Sequence, residues 1–159
     1  MENLTLKYYI KEEEEYKEFK EYNSSFIGLE GLYARQLCRY LVLNAVQYKV
    51  LKNEIVNGEE ILTIERHKQA VAFKDELINI DESKIKMEFR PYHTTGDMPL
   101  VHHVVLEHNK EVIRYLLKDA VEIEGMGQRK VNFFEWDDDR KVYVAYFEPT
   151  KEDVDNYIK

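Results

Sequence analysis

The sequence predicts an α+β domain: a mostly antiparallel sheet packed against one long helix, with two or three shorter helices. Three observations lead there. Several short segments alternate apolar and polar residues, as half-buried strands do. Turn-forming residues join many of them, Asn57-Gly58 being the strongest hairpin signal, and sequential hairpins imply antiparallel pairing. One stretch, from about residue 29 to 52, carries apolar side chains at helical spacing along its whole length. A chain of 159 residues with 44% apolar content is enough for one domain spanning 1–159.

The first strand is expected over Leu4–Ile10, where Leu6 and Tyr8 alternate with Thr5, Lys7 and Tyr9. Lys11–Tyr22 then changes period and reads as a helix. Glu12–Glu15 sets negative charge at its start, Tyr16, Phe19 and Tyr22 share a face, and Lys17 and Glu21 form an i,i+4 pair. Asn23-Ser24-Ser25 ends that helix and caps the next. Leu29 to Lys52 is the predicted packing helix, with Leu32, Leu37, Leu41, Ala45 and Tyr48 on a stripe that Val42, Leu43 and Val46 widen. The hairpin at Asn57-Gly58 leads into a strand over Glu59–Glu65, and a short strand is expected near Val71–Lys74. After Asp81-Glu82-Ser83, Ile85, Met87 and Phe89 alternate with Lys86, Glu88 and Arg90 in another strand. Pro91–Pro99 reads as a loop and Val101–Glu107 as a strand. Asn109–Lys118 reads as a helix burying Val112, Ile113, Leu116 and Leu117. Val121 and Ile123 begin a short strand that turns at Gly125-Met126-Gly127. Val131–Trp136 and Lys141–Phe147 form a hairpin around Asp137-Asp138-Asp139. Thr150 with Asp153 is a variant capping box for a last helix.

Charge narrows the function classes. There are 31 acids against 23 bases, a net charge of -8. Residues 1–53 balance at 8 and 8, whereas 54–107 hold 11 acids to 6 bases and 108–159 hold 12 to 9. A protein gripping nucleic acid by its phosphates needs a positive surface, so direct nucleic-acid binding is disfavoured. A partner with a basic surface is favoured instead. Cys38 is the single cysteine, so there is no intrachain disulfide and no cysteine metal knuckle, and it reads as a buried inert thiol. Met1–Lys7 lacks the pattern of a secretion signal, and no apolar run approaches the roughly 20 residues of a membrane span. The expectation is a cytoplasmic protein without membrane association.

No glycine-rich phosphate loop, dinucleotide fingerprint or nucleophile elbow is present, and no cofactor is expected. Met98 to Val121 superficially resembles one ankyrin repeat, through Pro99-Leu100-Val101-His102 and the apolar run Val112-Ile113 to Leu116-Leu117. No second copy follows, and such repeats need neighbours to close a core, so no function is carried from it.

Two sites are predicted. The favoured one is an interaction surface at Trp136, Asp137, Asp138, Asp139 and Tyr143, with aromatics as a desolvated centre and acids as a rim. The chain is accordingly read as an acidic protein-interaction module, an inhibitor or regulator of a basic nucleic-acid-binding protein, with carboxylates standing where phosphates bind. Pairing with a second copy of the chain is compatible with this surface, and a viral or mobile-element assembly role is an alternative. The enzymatic alternative is a divalent-metal-dependent hydrolase or nuclease-like enzyme. Its ligands would be His93, His103, His108 and Glu107, with His103 as ligand or general base. Asp75, Asp81 and Glu88 beside Lys86 or Arg90 form a second carboxylate set for such chemistry. A non-enzyme is preferred.

Overall fold

Alternation of apolar side chains governs more of this chain than helical spacing does. The computed structural model describes residues 3–75, 78–79, 81, 83–94 and 96–158. Among them the elements run β1 (Thr5–Glu12), β2 (Glu15–Asn23), α1 (Ser24–Gln36), β3 (Tyr40–Leu43), β4 (Val46–Val56), β5 (Glu59–Gln69), β6 (Ile85–Pro91) and β7 (His102–Leu106). They continue as α2 (Asn109–Leu116), β8 (Ala120–Ile123), β9 (Gly127–Asp137), β10 (Val142–Phe147) and α3 (Lys151–Tyr157).

The predicted architecture needs correction: among the described residues no one long helix packs on the sheet, and the sheet, although most of its pairs are antiparallel, is mixed. Ten strands form a large mixed sheet in the order β2-β1-β5-β4-β3-β9-β10-β6-β7, with β8 also paired to β9. Parallel pairs join β1 to β5, β3 to β9 and β6 to β10. Among the described residues the helices are three short ones. The expected helix over 29–52 stops at Gln36, and β3 and β4 follow as a hairpin. Asn44 and Ala45 both take positive φ (52° and 62°) at its turn, the backbone that matches the twist of paired strands. The expected helix over 11–22 is a hairpin too. Glu13 (φ 57°) turns the chain between β1 and β2, so Glu12–Glu15 is a hairpin tip and not a helix start. Val71–Lys74 has no regular structure. Of the Asp81-Glu82-Ser83 run before β6, Asp81 and Ser83 are described, while Glu82 lies outside the described residues.

Other expectations hold. Leu6, Tyr8 and Ile10 of β1 face inward together. Asn23 caps α1 by accepting from the Ser25 N–H. Asn57-Gly58 turns β4 into β5. Thr150 and Asp153 form the capping box of α3. Leu116 of α2 is buried, but Leu117, expected beside it, is exposed.

One sheet face packs beneath α1 and α2. Its core runs from Leu6, Tyr8 and Leu62 through Leu41, Phe134 and Trp136 to Tyr143, Met87 and Phe89, with Leu32 and Val112 supplied by the helices. Each fully buried side chain of this size contributes roughly 1.5–3 kcal/mol. α1 and α2 approach closely at Gly31, where a Cβ would lie 3.1 Å from the Asn109 amide nitrogen. On the opposite face Val142, Val144 and Tyr146 form a second apolar cluster, against which Phe73, Tyr92 and Met98 pack.

Candidate functional site

The β9–β10 hairpin forms where expected, but its polar and aromatic groups turn inward. Trp136 and Tyr143 are buried against each other with ring centroids 4.7 Å apart. Asp137 is buried and accepts from the Arg140 backbone N–H (3.0 Å) and from Nε (2.8 Å). Burial still holds its carboxyl above the usual range. Asp138 is buried and accepts from the Tyr22 hydroxyl (2.6 Å), the Trp136 indole (3.2 Å) and Lys141 (3.2 Å). Burial pushes that carboxyl up, yet Tyr22 and Lys141 outweigh it and leave it below the usual range. Asp139 alone is exposed, and its oxygens accept the backbone N–H groups of Asn44 (2.7 Å) and Ala45 (2.8 Å) in the β3–β4 turn. The five predicted interaction residues therefore act as internal fastenings. Beside them Arg35, which sequence reasoning passed over, lies buried between the rings of Tyr22 (4.7 Å) and Trp136 (4.1 Å).

The predicted metal ligands disperse. His103 points out from β7 opposite Glu88, and His108 is exposed at the start of α2. His93 is half-buried against Gly96, where a Cβ would strike its ring at 2.5 Å. Glu107 pairs with Lys84 at 2.9 Å, which holds its carboxyl below the usual range. Among the described residues no three His, Cys, Asp or Glu side chains converge as a metal site. The second carboxylate set is neutralised within the chain. Glu88 is fully buried between Arg90 (3.0 Å) and Arg140 (2.7 Å), Asp75 meets Arg90 at 2.9 Å, and Asp81 accepts from Ser83. Phe73 lies over the buried Arg90 guanidinium at 3.7 Å. Cys38 is buried as expected, and burial pushes its thiol well up, which keeps it inert.

A narrow cleft opens beside this layer. Tyr40, Gln47, Phe133 and Tyr146 line it from the sheet, His67 and Lys68 from β5, and Val71, Tyr92 and Met98 from the covering segments. Its enclosed volume is about 20 Å³. Behind this lining Gln47 donates its amide to Glu135 Oε2 at 2.6 Å, and the Tyr146 hydroxyl donates to Oε1 at 3.3 Å. Glu135 is buried, and that burial raises its pKa to about 7 despite these donors. No sequence motif marks the cleft, because its groups come from five strands and two loops.

The open surface carries the acids that the sequence assigned to helix chemistry. Glu12, Glu13, Glu14 and Glu15 are all exposed at the β1–β2 tip, and Tyr16 beside them is 53% exposed. Glu12 meets Lys17 at 3.4 Å. Among the described residues no helix is long and apolar enough to cross a membrane. No family model, curated protein or solved structure matches this chain.

Proposed function

We propose that the chain is a cytoplasmic, non-enzymatic protein-interaction module that docks a basic surface of a partner protein through its β1–β2 hairpin. One observation carries this reading: four consecutive exposed carboxylates stand at a hairpin tip beside a half-exposed tyrosine. The acids supply attraction and orientation, and Tyr16 supplies ring area to be desolvated. A basic nucleic-acid-binding protein is the partner class this chemistry suits, since carboxylates clustered at an exposed hairpin tip compete for groups that otherwise hold phosphates. The Trp136–Asp139 hairpin is not the docking surface in this reading, because its groups are engaged inside the chain.

The test is capture of partners from the native cell at low and high salt, with the wild-type chain beside a variant carrying Gln at positions 12 to 15. A basic protein held at low salt, released by salt and missed by the variant is the expected result. Equal capture by both chains overturns the assignment.

A further inference from the structure

The cleft over Glu135 has the chemistry of a site for a small cationic head. Gln47 is only 8% exposed, and with its amide nitrogen given to Glu135 its Oε1 is buried without a partner. A buried unpaired amide oxygen costs about 1–3 kcal/mol, so a group bearing N–H or O–H belongs beside it. The enclosed space of about 20 Å³ admits one water-sized group. Around it Phe133 contacts Tyr40 (4.8 Å), Tyr146 (4.8 Å) and Tyr92 (5.1 Å), ring centroid to centroid. Aromatic faces attract cations. An anion would meet the Gln47 oxygen and the Glu135 carboxyl, both acceptors, and is disfavoured.

We propose that this cleft binds a primary ammonium group, held among the aromatic rings with an N–H donor directed to Gln47 Oε1 and its charge drawn to the Glu135 carboxylate, which Gln47 and Tyr146 hold behind the lining. An ammonium head is close to water in size and carries three donors. The source of the amine is either a free alkylamine or a lysine side chain presented by a polypeptide. Lys68, exposed at the mouth opposite Gln47, is a cation of the chain's own that opposes entry.

The state of Glu135 supports the assignment. Burial raises its pKa to about 7, so the empty site holds the proton over half of the carboxyl population near neutrality. The groups facing it are Asp137 on its own strand, which opposes ionisation, Arg140 in the next turn, which favours it, and the Tyr146 hydroxyl. Tyr40, Tyr92, His67 and Lys68 border the same space. Binding of an ammonium group releases the carboxyl proton to solvent and leaves an ion pair. When Glu135 is protonated, the cleft loses the negative charge that favours the ammonium group.

The probe is n-butylammonium, with n-butanol as the uncharged control and a short lysine-containing peptide as the second source. Each is titrated into the whole chain at pH 6 and pH 8 while the Gln47 amide and Phe133 ring resonances are followed. The amine stays protonated at both pH values. The expected result is saturable shifts at Gln47 and Phe133 with butylammonium, roughly tenfold tighter at pH 8 as Glu135 ionises, and none with butanol. Glu135→Gln is expected to abolish the pH dependence, and Lys68→Ala to tighten binding. Butylammonium binding identifies a free amine, and binding by the peptide alone identifies a lysine side chain. No shift with either, or equal response to butanol, means the void holds water only and overturns the proposal. The hairpin variant used to test partner docking leaves this cleft unchanged, so the two readings fail separately.

Discussion

In the N-terminal half, residues 5–69, the strands lie in the order β2-β1-β5-β4-β3; in the C-terminal half, residues 85–147, they lie as β7-β6-β10-β9-β8. In both halves the first strand pairs antiparallel with the second and parallel with the last, and the helix follows the second strand. The register matches as well. Lys7 lies opposite Ile61, and Ile61 opposite Glu54; in the other half Glu88 lies opposite Val144, and Val144 opposite Glu135. Yet Glu54 is exposed and Lys7 reaches solvent, while Glu88 and Glu135 are buried. The difference lies in what covers the face away from the helices. The segment linking the halves and the loop after β6 bring Phe73, Tyr92 and Met98 over the C-terminal half. The same strand pattern thus holds charge in water on one side and in a dry layer on the other. Only the dry side needs each charge matched within the chain.

The largest test of this contrast removes one partner from each side. Arg140→Ala leaves Glu88 and Asp137 buried without their shared guanidinium, and a loss of about 3–5 kcal/mol in denaturant unfolding is expected. Lys7→Ala removes its contacts with Glu18 and Glu59 on the open side and is expected to leave the midpoint in place. Comparable losses from the two substitutions would break the comparison.

The next effect is one of pH. Burial lifts Glu135 from 4.5 to about 7 in the folded chain, so its neutral form is the one folding favours. That contribution is fully present below about 4.5 and is lost as pH rises through 7. At roughly 1.4 kcal/mol per unit, the group makes the chain less stable by about 2.5 kcal/mol at pH 8 than at pH 5. Glu135→Gln stays neutral and should remove this slope in unfolding experiments run across that range. Glu54→Gln, at the matching exposed position, should leave the slope as it is.

Local pattern carried the elements whose causes are local and missed those set from afar. The Asn57-Gly58 turn, the Asn23 cap and the Thr150–Asp153 box each depend on neighbouring residues and were legible. Phe19 and Tyr22, three apart, mimicked a helix face. A β-bulge opposite Tyr8 and Tyr9 inserts one residue into β2, and that brings both rings to the core side of a strand. The Asn44-Ala45 turn has no glycine to announce it, and its two N–H groups are satisfied by Asp139, more than 90 residues away. The burial of most of the predicted hairpin residues was hidden for the same reason. A run of three aspartates looks like a solvated turn until Arg140, Tyr22 and Asn44 are in place around it. The cleft over Glu135 was invisible because Gln47 and Tyr146 reach that carboxyl from different strands.

The smallest predicted effect sits where the halves join. Asp139 belongs to the C-terminal half but closes the β3–β4 turn of the N-terminal one, and β3 in turn pairs with β9 through Tyr40, Leu41 and Val42. Its carboxylate is exposed, so water replaces part of what it gives. Two charge-assisted bonds to backbone N–H groups nevertheless remain specific to the folded chain. Asp139→Ala should cost about 1 kcal/mol, and faster hydrogen exchange should be confined to the Asn44 and Ala45 amides. Asp139→Asn keeps an acceptor without the charge and should fall between the two chains. If Asp139→Ala instead weakens partner capture while those amides stay protected, the aspartate is a docking group after all, and the division between an open acidic hairpin and a closed one no longer holds.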